Sequence, residues 1–405
     1  MKYLLQSLIC LILLTACERN TKNNTSFSVD DYLHVIDLNK TAPEIPLSEV
    51  FAKVTPIVLE TTKESLLGCV NKVIATPKYL IVYDGLVANA LFLFKKDGTF
   101  LHRFGSIGKG PGEYSSISDF CYDETTGTIY MLDFQTNRVN LYDIHTGSFL
   151  KSIQLRNNNG FSQSIYYQNG ELYTDLRNFT NENERYLLNR RNQSTGDIEE
   201  VWLDLKTYSK GIDYLDKVPF LFGDGNSFKF NTFFMDGIMS IEKNKITPFL
   251  AFTPEYTIDM NDLKGQDLNL RMPYAGINWV KTNKVYNIRA YFEQKNLIYL
   301  EFLLGLGRKF KKVLYNQNSR EAKYIGHFDD LIFKEEAKGY QYFSPMFIAY
   351  GNNGLFSDLE YNDMKNLKEL LEKDLISDNF KSAAIELTKL AEDANPVLLH
   401  YEFKD

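Results

Sequence analysis

The chain has 405 residues, 44% of them hydrophobic and 24% charged, so it can bury a large core and is not a disordered protein. Its 26 Tyr, 29 Phe and 2 Trp stand against only 24 Gly and 11 Pro, which excludes collagen-like or low-complexity character and gives a mostly β profile. The formal charge of −7 comes from 45 basic and 52 acidic residues with no basic stripe, which argues against nucleic acid as a partner.

At the N-terminus, Met1-Lys2-Tyr3 leads into an apolar run from Leu4 to Leu14, broken only by Gln6 and Ser7, and Thr15-Ala16 precede Cys17. A charged start, about ten apolar residues and a small residue before the cut predict a signal peptide over 1–16, since a bilayer span needs roughly 20. Leu14-Thr15-Ala16-Cys17 resembles the lipobox of bacterial lipoproteins, which implies that Cys17 is acylated and that lipid is the anchor. The alternative is an ordinary secretory signal beside a coincidental cysteine. Residues 17–32 read as a lipidated polar tether to a body over 33–405. Cleavage removes Lys2 and takes the formal charge to −8. Cys10 leaves with the signal, and Cys69 and Cys121, in apolar surroundings without Cys-x-x-Cys spacing, read as buried free thiols rather than a disulfide or a zinc site.

Two consecutive segments then repeat. Tyr79 to Asp84, Ala90 to Phe94 and Asp97-Gly98-Thr99-Phe100-Leu101 are matched by Ile129 to Asp133, Val139 to Tyr142 and Thr146-Gly147-Ser148-Phe149-Leu150, with 49 residues separating both the aspartates and the glycines. Each unit reads strand, turn, strand, turn, strand, with Asp-Gly or Thr-Gly at the second turn. A unit of this size cannot bury both faces alone, so the pattern predicts the blades of a closed propeller. Weaker copies follow at Leu172 to Asp197, Gly237 to Phe252 and Leu297 to Leu314, with part of another at Phe343 to Phe356. Residues 205–290 lack this punctuation, so the residues alone leave five, six or seven blades open. The early strands Leu33–Leu38 and Val54–Leu59 remain for ring closure. Over 358–395 the apolar positions Leu359, Leu367, Leu370, Phe380, Ala384 and Leu387 recur at three- and four-residue steps, predicting two amphipathic helices. Asn395-Pro396 then stops the second helix, and 396–405 returns to a strand that joins the sheet.

Gly105-Ser106-Ile107-Gly108-Lys109-Gly110-Pro111-Gly112-Glu113-Tyr114, the strand Ile57-Val58-Leu59-Glu60-Thr61 and the closing Asn395-Pro396-Val397-Leu398 together resemble the six-bladed β-propeller lipoproteins of gut bacteria. That resemblance spans almost the whole chain. It implies an all-β, NHL-like six-bladed propeller with a C-terminal insertion of two helices, anchored in the cell envelope. It carries over no catalytic residues.

The loop 105–112 is not a phosphate loop, because a proline and further strands follow where Gly-Lys-Ser/Thr and a helix would be required. It reads as a tight inter-blade turn, or as a ligand-contacting loop in which Arg103, Lys109, Glu113 and Tyr114 project near one mouth of the ring. His34, His102, His145, His327 and His400 are scattered without metal-ligand spacing, so no metal or cofactor is assigned. Asp84, Asp119, Asp133 and Asp175 recur at strand ends. Repetition favours a turn role over the paired carboxylates of glycan cleavage. The sequence thus reads as a lipid-anchored envelope protein, on the outer membrane facing the periplasm, that binds a glycan, a peptide or an envelope protein through one ring mouth. Two rivals remain: a glycan lyase or hydrolase working at the central channel, and a structural subunit with an exposed apolar patch on its C-terminal helices.

Overall fold

The structure, a computed structural model, describes residues 27–156, 160–175, 177–178, 186–204, 221–224, 227–231, 235, 237–242, 245–257, 283–305, 309–340, 345–351 and 353–404. The signal segment, Cys17 and the Asn-rich stretches 157–159 and 181–184 lie outside these.

Three strands near the N-terminus are β1 (His34–Ile36), β2 (Ala42–Ile45) and β3 (Phe51–Val58), with a single-turn helix α1 (Leu47–Val50) before β3. Six radial sheets follow, their strands running in order from the ring axis outward. Blade 1 is Lys72–Ala75, Tyr79–Asp84, Ala90–Lys95 and Phe100–Phe104; blade 2 is Ile117–Asp123, Thr128–Asp133, Arg138–Asp143 and Phe149–Gln154. Blade 3 is Ile165–Gln168, Glu171–Asp175, Tyr186–Arg191 and Ile198–Asp204; blade 4 is Leu221–Asp224, Ser227–Phe230, Gly237–Glu242 and Lys245–Phe252. Blade 5 is Val285–Gln294, Leu297–Leu304, Lys309–Asn316 and Ala322–Ile325; blade 6 is Ala349–Gly351, Gly354–Leu359 and Val397–Phe403, with β3 as its outer strand.

The protein is a six-bladed propeller, and the repeat seen most clearly in sequence covers only the second to fourth strands of blades 1 and 2. The short inner strands escaped that reading, because Lys72–Ala75 and Ile165–Gln168 have four residues each and sit behind long connections. Ring closure uses β3, which pairs antiparallel with the C-terminal strand from Phe51↔Phe403 to Val58↔Val397. Leu33–Leu38 takes no part in it. Instead β1 adds a fifth strand to blade 4, parallel to Leu250–Phe252, and β2 does the same for blade 5 beside Lys323–Ile325. Phe27 and Tyr32, placed in the tether on sequence, pack into the core between blades 3 and 4.

Among the described residues six hydrophobic clusters form, one at each blade interface. Alternate residues of a strand serve alternate interfaces. Leu80 and Val82 face blade 6 while Ile81 and Tyr83 face blade 2, which is why the strand reads as an unbroken apolar run. The repeated glycines act between blades. A Cβ at Gly98 (φ +89°) would lie 2.0 Å from the Val58 carbonyl oxygen of blade 6, and one at Gly196 (φ +75°) 1.9 Å from that of Gln154 in blade 2. The carbonyl groups of Gly98 and Gly196 themselves accept the amides of Glu60 and Arg156 at 2.9 and 3.2 Å.

Helices α2 (Tyr361–Glu372) and α3 (Asp378–Leu387) are inserted between the second and third strands of blade 6. Their apolar faces (Leu367, Leu370, Phe380, Ala384, Leu387) cover the cluster between blades 5 and 6. The second helix ends at Leu387, well before Asn395-Pro396. Asn395 is an anchor instead: fully buried, its side chain accepts the Leu67 amide at 2.8 Å and donates to the carbonyls of Glu60 and Ser65 at 2.9 and 2.8 Å.

Candidate functional site

The inner strand of every blade starts, and the second strand ends, at the same end of the ring, so connections divide into two sets. At one end lie the hairpin turns joining first to second and third to fourth strands, from two residues (169–170) to six (192–197). At the other end the links between blades, from 10 residues (155–164) to 32 (253–284), leave and re-enter the described strands, as do the second-to-third connections, one of which is the 37-residue segment 360–396.

Three buried aspartates organise the long-loop end. The Asp84 carboxylate accepts the amides of Gly68 at 2.7 Å, Val87 at 2.8 Å and Leu86 at 3.1 Å. Burial pushes its pKa up, but the amides of Val87, Gly68 and Ala88 outweigh that and hold it below the usual carboxylate range. Asp133 accepts Ser115 N–H at 2.8 Å, and Asp175 accepts Gln163 and Ser164 N–H at 2.7 and 2.8 Å. Each therefore fastens the loop that leads into its own blade's inner strand, which is the turn role the repetition predicts. Beside Asp84 the Cys69 thiol is half-buried and unreactive in character. Burial, and then the hydrogen bond to the Asp84 carboxylate and its charge, push it up to about 11.

Asp119 does something else. It sits in the inner strand of blade 2 and accepts Lys72 Nζ from the inner strand of blade 1 at 2.6 Å and the Ile165 amide of blade 3 at 2.9 Å. Lys72 also donates to the Phe120 carbonyl at 2.8 Å and lies 4.9 Å from the Phe120 ring. Three inner strands are thus bridged by one ion pair. Burial raises the Asp119 pKa, with Lys72 opposing. Lysine in a short apolar strand was the sequence signal for this bridge. Its partner, 47 residues away in the next blade, could not be read.

The four residues singled out in the Gly-rich loop are brought to the link between blades 1 and 2, where Ser106–Ile107 pairs in parallel with Glu113–Tyr114. Arg103 Nη2 donates to Tyr114 Oη at 3.0 Å, and the Tyr114 ring is fully buried. The Glu113 carboxylate turns inward to accept the Gly110 amide at 2.7 Å, while its carbonyl accepts Arg138 Nη2 and Asn140 Nδ2 at 2.9 and 3.1 Å. Lys109 is exposed at the loop tip. The loop is therefore a clamped link between blades that presents one cation. Around it, the same end of the ring carries exposed aliphatic side chains on neighbouring loops: Leu66 (53%), Leu86 (69%), Val87 (70%) and Ile107 (59%). None of the five histidines joins this set. They lie in β1, the outer strand and third-to-fourth turn of blades 1 and 2, the link after blade 5 and the C-terminal strand.

A family model described as a domain of unknown function, DUF4934, matches residues 33–402. The chain belongs to the DUF4934 family. Among solved structures, this DUF4934 protein is similar to a candidate exported protein of Bacteroides fragilis, at 19% identity and a TM-score of 0.71, covering 90% of this chain and 99% of that one. A member of the DUF4221 family from Bacteroides vulgatus aligns at 12% identity and a TM-score of 0.49, covering 87% and 98%. The first of these likenesses supports the fold. A search of curated protein sequences finds no match.

Proposed function

We propose that this DUF4934 protein is an envelope-anchored binding or interaction module that presents the long-loop end of its ring to a glycan, a peptide or another envelope protein. The observation that carries this reading is the division of its connections: tight hairpins at one end, and at the other the strand ends from which the inter-blade links depart, with the helical insertion. Loops held on a rigid scaffold are where binding concentrates. In this reading Lys109 contacts the ligand, and Arg103, Glu113 and Tyr114 hold its loop in place. The lipobox-like Leu14-Thr15-Ala16-Cys17 supports an anchor through lipid on Cys17, on the outer membrane facing the periplasm. The exported description of the structurally similar Bacteroides protein agrees with such an address.

The test is a screen of the mature protein against glycan and peptide arrays, repeated with Lys109→Ala and Leu86→Asp and, at the hairpin end, with Glu124→Ala and Lys245→Ala. Loss of binding in the first pair alone supports the reading. Loss confined to the second pair, or no binding on any array, overturns it. The anchor is tested separately: fatty-acid labelling should vanish in Cys17→Ala, and labelling that persists there refutes it.

A further inference from the structure

The point at which the chain enters the folded ring constrains how the ring can stand on a membrane. Phe27 is the first described residue, and it packs with Tyr32 against Tyr173, Leu188 and Trp202 of blade 3 and Phe228 and Met239 of blade 4. From there the chain runs out along β1, whose His34 and Ile36 are buried in the core, while Leu33 just before it (58% exposed) and Val35 (36%) are exposed at the outermost strand of blade 4. Ten residue steps separate Phe27 from Cys17. Fully extended, they reach at most about 33–36 Å. A chain of this length has a folded radius of gyration of roughly 21 Å, so a tether fixed at the rim cannot carry the far side of the ring down to the bilayer while the near rim stands clear of it.

We propose that the rim of blade 4 along β1 is the side of the propeller that lies against the lipid bilayer, with Leu33 and Val35 as its contact residues. This rests on the reading of Cys17 as the lipidated residue. In a ring of six, the interface between blades 3 and 4 is opposite the interface between blades 6 and 1. The closure by β3 and the tips of Leu66, Leu86 and Val87 therefore face away from the membrane. The ring axis runs along the bilayer plane and the long-loop end opens sideways, free to meet a ligand. Aliphatic side chains at a membrane surface are stabilised by the apolar area they withdraw from water.

The experiment uses the acylated full-length mature protein in phosphatidylethanolamine–phosphatidylglycerol vesicles, with the Cys17→Ala protein in buffer as reference. Hydrogen exchange should show added amide protection over residues 27–40 and 245–252 on vesicles, and none over 66–87 or 378–387. A Leu33→Trp variant should lose fluorescence on brominated lipid, whereas Leu86→Trp should not. Acylation at Cys17 with protection at 66–87, or with none, overturns the rim placement and leaves the anchor standing. Absence of acylation at Cys17 overturns both.

Discussion

Asn395 makes three side-chain hydrogen bonds to the link between blades 6 and 1, and its own amide donates to Thr61 Oγ1 at 2.9 Å. Asn395→Ala would leave the buried Leu67 amide and Ser65 carbonyl without these partners, while the Glu60 carbonyl keeps the Ser65 hydroxyl, at a cost on the order of 3 kcal/mol; urea unfolding of the purified variant measures it. Gly98→Ala combines a left-handed backbone with a collision against the Val58 carbonyl, so it should cost about 2 kcal/mol or more, read as a lower thermal midpoint. At this scale the sequence was legible where chemistry repeats. Asp84, Asp133 and Asp175 occupy equivalent corners and do equivalent things, so spacing alone reveals them. It was illegible where a side chain acts across blades, as Lys72 does on Asp119, because nothing in either segment specifies the other. Reading Asp119 as one more turn aspartate missed its bridge for that reason.

The elements divide in the same way. Helices α2 and α3 follow from three- and four-residue periodicity, and the hairpins follow from their Gly turns. The strand at Leu33–Leu38 was legible too, but where β1 and β2 pair was not, because their partners lie over 200 residues downstream and the pairing is parallel. Electrostatics at this scale is set by burial. His34, His102, His327 and His400 are all held below the usual imidazole range, in each case first by burial. The folded state therefore binds fewer protons at these sites than the unfolded chain, and their contribution to stability is complete above about pH 6.5 and is lost as pH falls through the window below it. A falling urea midpoint from pH 7 to 5, partly removed in His327→Gln, is the expected result. Asp358, just before α2, runs the other way: burial, then Glu360, raise it to about 6. Its ionisation between about pH 4 and 6 weakens the fold, so Asp358→Asn should stabilise the protein by about 2 kcal/mol at pH 7.5 and leave it unchanged at pH 4.

For the molecule as a whole, the six interfacial clusters make each blade depend on both neighbours, and the ring depends on a single splice between β3 and the C-terminal strand. Lys53 and Glu402 are register partners there and form an exposed ion pair at 2.9 Å. Opposed residues of antiparallel strands lie within the Cα separation a disulfide spans. Replacing Lys53→Cys with Glu402→Cys should give an oxidised protein more stable than its reduced form, up to about 5 kcal/mol for so long a loop, measured by unfolding with and without reductant. The six-bladed ring was foreseeable from strand-sized repeats that cannot stand alone, although the weakly punctuated region 205–290 left the number to the family resemblance. Which end of the ring bears the long loops was foreseeable only once the inner strands were located.

The splice also sets an order of assembly. β3 leaves the ribosome about 340 residues before Val397–Phe403. At common synthesis speeds of roughly 5–20 residues per second it waits some 20–70 s for this sheet partner. Over that interval the nascent chain carries an unsatisfied edge, and the product can lock shut only when its last strand arrives. A helper that shields extended chain should therefore raise the yield of folded protein more than it changes the protein's final stability.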